Sequence, residues 1–218
     1  MNKSESNNYQ YITYDVVFEQ IDLFNRSKEQ IDSSNIVRDL LERKKSEEAL
    51  QLLVPLIEKY PDDPVLASYL AVAYKLIGKK DFADQLIRNN YQRFPTYLFA
   101  RCAYGELCIE KDDLDDAFKT FEGKMNLALL YPERSKFHIS EVVVMQEFVV
   151  KYATVKGNFD SALKNLEILE QCGEHIGEIK SLTHLLFVEI MQKMLEKNIT
   201  LNDVLFQRLL EIHNQIQK

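Results

Sequence analysis

The hydrophobic positions of this chain fall into short amphipathic segments, each introduced by a polar, charge-rich turn. Three segments resemble one another: KKSEEALQLL at 44–53, KKDFADQLI at 79–87 and KDDLDDAFKTF at 111–121. In each of them an alanine follows the turn and opens a segment with helical spacing of its apolar residues. The pattern therefore predicts helices joined by short turns.

The similar segments recur at a fixed distance. Ala49, Ala83 and Ala117 are 34 residues apart both times, and a related segment places Ala162 another 45 residues on. A period of about 34 residues is the length of one helix–turn–helix repeat. The sequence therefore predicts a repeated helical hairpin, with an insert of 11 residues before the last repeat.

The residues around this period resemble the tetratricopeptide repeat family over about residues 30–173. The second and third repeats match the family most specifically, through a large–small–aromatic pattern on the first helix and a small residue on the second. The matching residues are Leu70, Ala71, Tyr74, Gly78, Ala83 and Pro95 in the second repeat, and Tyr104, Gly105, Ala117 and Phe121 in the third. The first repeat matches through Ala49, Leu53 and Pro61, and the fourth through Gly157, Phe159, Ala162 and Leu166. The resemblance implies an all-α fold, a right-handed superhelical stack of antiparallel helical hairpins.

The small residues explain how such hairpins pack. Two helices that cross closely need a small side chain at the crossing, which predicts Ala71 and Gly105 on first helices and Ala83, Ala117 and Ala162 on second helices. A bulky residue there overpacks the contact at a cost of about 1–3 kcal/mol.

The turns carry recognisable helix signals. Pro61 and Pro95 remove a backbone donor and are expected to end helices. Asp81, Asp113 and Asn158 stand before second helices, where they are expected to cap free amides.

The 34-residue period predicts where the repeats and the segments that flank them begin and end. Residues 1–10 are expected to be a disordered tail, and residues 11–218 a single all-α domain. Apolar residues at 11–24 are interpreted as a helix. The predicted repeats cover about 30–63, 64–97, 98–131 and 137–173, followed by C-terminal capping helices at about 175–197 and 201–216.

The insert falls within 122–138. It predicts a short extra turn or helix, followed by an unusually long helix over about 138–155. Its role is interpreted as a spacer that reorients the last repeat, with a binding loop as the alternative.

The composition and charge of the chain argue against nucleic acids and membranes as partners. The formal net charge of −7 and pI of about 5.2 argue against a nucleic-acid partner. The sequence also lacks a basic amphipathic face, a secretory signal in its polar start, and an apolar run of about 18 to 20 residues. These features predict no membrane association and a cytoplasmic location.

The residue types that carry chemistry form no recognisable site. Cys102, Cys108 and Cys172 are expected to be buried reduced thiols. The four histidines, His138, His175, His184 and His213, show no zinc-ligand spacing, and the acidic run DDLDD at 112–116 lacks the glycine of a calcium loop. No phosphate-binding loop or nucleophile elbow is present either. The sequence therefore predicts no cofactor, no metal and no enzyme activity.

In the tetratricopeptide family the first helices of successive repeats line a concave groove, and this resemblance supplies the candidate site. The expected lining residues are Val65, Ser68, Val72, Lys75, Phe99, Cys102, Glu106, Ile109, Val144, Glu147, Lys151 and Thr154. Their mixture of apolar and charged side chains suits an amphipathic helix or extended segment of a protein partner. The alternative is that terminal helices cover Val65, Phe99 and Val144.

The resemblance also argues against one subclass. Chaperone-binding members hold a C-terminal carboxylate with lysines, asparagines and an arginine, but only Arg38 is basic at the matching positions. Those positions are Ser34, Arg38, Tyr69, Phe99 and Ala103. The leading hypothesis is therefore an adaptor or regulator that binds a protein segment. A self-associating homo-oligomer and a protein resembling the tetratricopeptide chaperones of bacterial secretion systems are the alternatives.

Overall fold

A computed structural model describes residues 14–19, 21–173, 179–199, 209–210 and 214. Of the described residues 73% are helical, and they form ten helices. The helices are α1 Lys28–Glu42, α2 Ser46–Lys59, α3 Pro64–Leu76, α4 Lys80–Arg93, α5 Leu98–Glu110, α6 Leu114–Thr120, α7 Leu127–Leu130, α8 Ile139–Lys156, α9 Phe159–Gly173 and α10 Ile179–Glu196. Two short strands are β1 Asp15–Val17 and β2 Lys136–His138. The predicted all-α fold class is confirmed, with this strand pair as an addition.

Consecutive helices pack as hairpins. The pairs are α1 with α2, α3 with α4, α5 with α6, and α8 with α9, while α10 packs against both α8 and α9. The second helix of one hairpin contacts the next hairpin, and α1 contacts α3 as α3 contacts α5. The first helices therefore lie side by side and form one continuous face of the stack.

Small residues mark the close helix crossings, as predicted. Ala49, Ala117 and Ala162 have no exposed surface, and Ala83 is 1% exposed. A Cβ atom added to Gly105 would lie 2.6 Å from Cε2 of Phe148. Glycine is therefore what allows α5 to approach α8 this closely.

The buried side chains form two clusters. The smaller cluster joins α1, α2 and α3, whereas the larger one extends from α5 to α10. Between them, α4 buries only Ala83 and Asn90. The three cysteines are free and buried in the larger part of the fold, as predicted.

The predicted helix over 11–24 is wrong in its described part. Residues 15–17 instead form β1, which pairs in parallel with β2 so that Val16 lies opposite Phe137. β-Branched side chains such as Val16 and Val17 favour an extended backbone when a neighbouring strand accepts their hydrogen bonds. That neighbour lies about 120 residues away in the sequence, so no local pattern indicates it.

Two of the three predicted capping residues accept backbone hydrogen bonds. Asp113 accepts from the amide of Asp116 at 3.0 Å, and Asn158 accepts from the amide of Ser161 at 3.2 Å. The prediction for Asp81 is wrong, because α4 already begins at Lys80 and Asp81 lies inside its first turn. The Asp81 carboxylate still favours the helix dipole there.

The insert contains α7 and β2 and leads into α8, which has 18 residues. The α10 helix lies within the range predicted for the first capping helix. The predicted tail at 1–10 lies outside the described residues, as does nearly all of the predicted helix at 201–216. In the part of the chain that the structure describes, no helix has the length and apolar character needed to cross a membrane.

The crossing at Gly105 yields a stability prediction. We expect Gly105→Ala to lower the free energy of unfolding by about 1 kcal/mol, since overpacking costs about 1–3 kcal/mol and helix propensity returns about 1 kcal/mol. Chemical denaturation measures the change. Phe148→Leu removes the ring that the new methyl group would meet, so Gly105→Ala should cost less in that background. An equal cost in both backgrounds would contradict the proposed clash.

Candidate functional site: a concave groove crossed by an N-terminal strap

The face formed by the first helices contains a cavity of about 680 Å³. This volume lies within the range of about 300–1,000 Å³ found for ligand pockets. Most of the residues predicted for the groove line it, namely Val65, Ser68, Val72, Lys75, Phe99, Cys102, Glu106, Val144 and Glu147. The helices α3, α5 and α8 thus bring together side chains that are distant in the sequence.

Three residues that were predicted to line the groove do not line the cavity. Ile109 does not line the cavity and packs against the larger core cluster. Thr154 is buried and donates its hydroxyl proton to the carbonyl of Val150 at 2.7 Å. Lys151 is not a lining residue either, but its ammonium contacts two carboxylates that are.

A segment that we call the strap, residues 14–19 and 21–26, crosses this face and is extended at residues 15–17. Its first part is held by the insert: the amide of Asp15 donates to the carbonyl of Ser135 at 2.8 Å, and the ring of Tyr14 meets that of Phe137 edge-on at 5.0 Å. Nε2 of His138 lies 3.2 Å from the carbonyl oxygen of Phe18. Since that oxygen can only accept, Nε2 carries the proton in this contact.

The other end of the strap is held by the first repeats. The ring of Phe24 packs edge-on against Tyr97 at 5.3 Å, and Arg26 donates to the hydroxyl of Ser34 at 3.3 Å. Asp22 accepts from both the side chain and the amide of Arg26 and so fixes the turn into α1. The strap therefore spans the groove from the insert to α1.

The strap covers the groove only in part. It contributes Phe18, Ile21, Asp22, Leu23, Phe24 and Arg26 to the cavity lining. Phe18 is still 53% exposed and Leu23 is 47% exposed. Val65, Phe99 and Val144, which the alternative interpretation placed under terminal helices, are half-buried. Among the described residues, the N-terminal strap and not α10 lines the cavity together with them.

Charged side chains meet in the floor of the groove. The Lys151 ammonium lies 2.9 Å from a Glu106 oxygen and 2.6 Å from a Glu147 oxygen. Burial raises the pKa of Glu106 above its ordinary value, although Lys151 opposes the shift. Burial lowers the pKa of Lys151, but Glu106 and Glu147 outweigh it and raise that pKa overall. One cation thus serves two carboxylates in a partly desolvated place.

Glu110 is the next acidic residue along α5, and its pKa is shifted in the opposite direction to that of Glu106. Glu110 also lines the cavity, and its carboxylate lies 2.9 Å from the Lys80 ammonium and 3.5 Å from that of Lys75. Burial raises the pKa of Glu110, but the two lysines outweigh burial and bring it below the ordinary value. Glu110 is therefore fully compensated within the chain.

Asn90 is a lining residue that the sequence analysis missed. It lies on α4, is 5% exposed, and donates from Nδ2 to Ser68 Oγ at 2.9 Å and to the Pro64 carbonyl at 3.3 Å. Its Oδ1 atom accepts no hydrogen bond from any described residue. The sequence signal for Asn90 was a single amide side chain at a buried position of a second helix. The groove pattern of the family does not include such positions.

The positions that match the chaperone-tail clamp all border the cavity. Ser34, Tyr69, Phe99 and Ala103 bring no positive charge. The guanidinium of Arg38 lies 3.3 Å from Asp39 and 3.5 Å from Glu42. Arg38 is therefore the only basic residue at the matching positions, and its guanidinium already has two carboxylate partners.

No group of three or more histidine, cysteine, aspartate or glutamate side chains positioned for a metal ion occurs within the described residues. His138 caps α8 through the amide of Ser140. His175 and His213 lie outside the described residues.

Comparison with solved structures agrees with this architecture. MamA from Desulfovibrio magneticus RS-1 superposes with a TM-score of 0.51 at 11% identity, covering 88% of this chain and 97% of MamA. PilW, a widely conserved type IV pilus biogenesis factor, superposes with a TM-score of 0.51 at 13% identity, covering 88% of this chain and 94% of PilW. Both are helical proteins of the tetratricopeptide type. At these identities the likeness shows the fold alone.

No protein-family model matches the chain, and no curated protein matches it in sequence.

The strap contacts give a prediction about its attachment. We expect Asp15→Pro to release the strap from β2, because proline lacks the amide that donates to the Ser135 carbonyl. Limited proteolysis should then cut the strap faster while the circular dichroism of the helices stays unchanged. Asp15→Ala keeps the backbone donor and is the matched control. Equal cleavage rates for the two variants would contradict strand pairing as the attachment.

Proposed function

We propose that this chain is a protein–protein interaction module, an adaptor or regulator that binds a peptide or helical segment of a partner in the groove. The observation that carries the proposal is the cavity of about 680 Å³ on the face of the first helices, with apolar and charged side chains in one lining. Clefts of this size with a few placed polar groups are the usual form of a binding site.

The lining favours a chain segment as the occupant. Val72 is 44% exposed within the groove, which gives an apolar side chain of a partner a surface to cover. Charged residues of both signs, such as Lys75 and Glu110, stand beside it. Helical and extended segments are both recognised by such alternation of apolar anchors and polar edges.

The strap supports an extended segment in particular. Its residues 15–17 are extended backbone paired with β2, and its Phe24 ring packs on Tyr97. A partner segment with aromatic and β-branched residues that displaced the strap would find the same kind of contacts on this face.

A peptide-binding experiment tests the proposal. We expect a short random-peptide library, selected on the full chain, to yield ligands whose affinity falls at least about tenfold on Val72→Glu, because binding would bury an unpaired carboxylate. Fluorescence anisotropy measures the affinities, and sedimentation at several concentrations separates peptide binding from self-association.

Val54→Glu is the matched control. Val54 lies on α2, is 48% exposed and does not line the cavity, so the same substitution there should leave affinity within about twofold. Circular dichroism must show both variants folded. Equal loss of binding on both variants, or on neither, would reject the groove as the binding surface.

A further inference from the structure

The two-stranded sheet has an open edge on β1. Within the described residues β1 pairs with β2 alone, in a parallel register that puts Val16 opposite Phe137. The amide of Asp15 donates to the carbonyl of Ser135 at 2.8 Å, on the β2 side. In such a ladder successive residues direct their backbone groups to alternate sides, so Asp15 and Val17 bond to β2 while the amide and carbonyl of Val16 point away from it.

This edge is accessible. Val16 is 42% exposed, Phe18 is 53% exposed, and Asp15 is exposed beside them. Neither backbone group of Val16 has a hydrogen-bond partner among the residues that the structure describes. An exposed strand edge that offers both a donor and an acceptor is a template for pairing with another chain.

One face of the sheet is also left uncovered at this edge. Side chains that stand opposite each other in register lie on the same face. On that face Phe137 has no exposed surface, whereas Val16 beside it is 42% exposed because no described strand lies on its outer side. A third strand with an apolar residue next to Val16 would complete the face.

The sheet ends at the groove. Phe18, which follows β1, and His138, the last residue of β2, both line the cavity. Beyond the sheet, α8 packs against α5 and α5 against α3, which carries Val72. At interaxial distances of 8–10 Å this path is about 20 Å long, and an extended chain covers it with about six residues.

We propose that an extended partner segment adds to the free edge of β1 as a third strand and continues into the groove beside the strap. This inference rests on the proposed function and specifies how the partner is held. The segment has about nine residues, three along β1 and about six across the helices. Its backbone bonds to the amide and carbonyl of Val16, and its apolar side chains cover Val16 and Phe18. Strand addition takes affinity from backbone hydrogen bonds and selectivity from alternate side chains.

Val16→Pro tests the edge with the peptides selected on the full chain. Proline removes the amide that points away from β2 and leaves the ladder bonds of Asp15 and Val17 in place. Asp15 is already extended, which is the conformation that a following proline requires. We expect peptide affinity, measured by fluorescence anisotropy, to fall at least about tenfold.

Val16→Thr is the matched control, because threonine keeps the amide and the branched shape of valine. Peptide affinity should stay within about twofold of wild type on this variant. Equal affinities for Val16→Pro and Val16→Thr would overturn the inference.

A second measurement uses the wild-type chain and so does not depend on how Val16→Pro folds. In hydrogen exchange followed by NMR, the Val16 amide should exchange freely in the free chain and at least about tenfold more slowly with saturating peptide. The amide of Asp15, which is bonded to Ser135, should be protected in both states. An unchanged exchange rate of the Val16 amide in the complex would contradict strand addition.

The fate of the strap separates addition from displacement. Chymotrypsin can cut after Phe18 and Phe24, and bound peptide should slow this cleavage because the strap stays in place with its edge covered. Faster cleavage in the complex would show that the peptide displaces the strap, which would refute the proposal. Sedimentation at several concentrations addresses a second copy as the occupant. A dimer that dissociates on Val16→Pro would assign the edge to self-pairing and would refute it too.

Failure of this inference is distinguishable from failure of the proposed function. If no selected peptide is sensitive to Val72→Glu, the proposed function fails. If peptides that are sensitive to Val72→Glu bind wild type and Val16→Pro equally, the proposed function stands and strand addition is rejected.

Discussion

The close crossing of neighbouring helices at small side chains is the constraint on which this molecule depends. Ala49, Ala83, Ala117 and Ala162 lie fully inside these crossings, and Gly105 brings α5 against the stacked rings of Phe121 and Phe148 at 4.2 Å between centroids. With any bulkier residue the helices would separate, and the dispersion contacts of a dense core would weaken. Because each hairpin nests on the last at these points, the first helices stay side by side and leave a concave face.

That face combines ordered walls with closely paired charges. Its walls are helices held by the core, so Glu106, Glu147 and Asn90 keep their positions without a ligand. The Lys151 ammonium joins Glu106 and Glu147, and Lys75 and Lys80 join Glu110, so the charged side chains of the floor pair with one another. Because the floor is partly desolvated, this pairing matters more than it would in water.

The sequence predicted what depends on local or periodic signals. The 34-residue spacing located the crossings, and the family register placed Val72, Phe99 and Val144 on the concave face. It failed where distant partners decide the structure. Residues 15–17 become a strand only because β2 offers an edge, and three residues are too few for a strand pattern. Asn90 was missed because its importance lies in an absent donor, which only side-chain positions reveal.

The strap also gives this stack a long-range contact that an open solenoid lacks. In an open solenoid each repeat contacts only its neighbours, so small relative motions add up from end to end. Here the two core clusters meet across the thinly buried α4, yet the strap joins α1 directly to the strand ahead of α8. The strap thus links α1 to β2 by a second path, apart from the stacked hairpins. This link limits how far the groove can widen. A segment bound along the whole groove would have to displace the strap or pass beside it, and that movement would add to the time that diffusion alone requires.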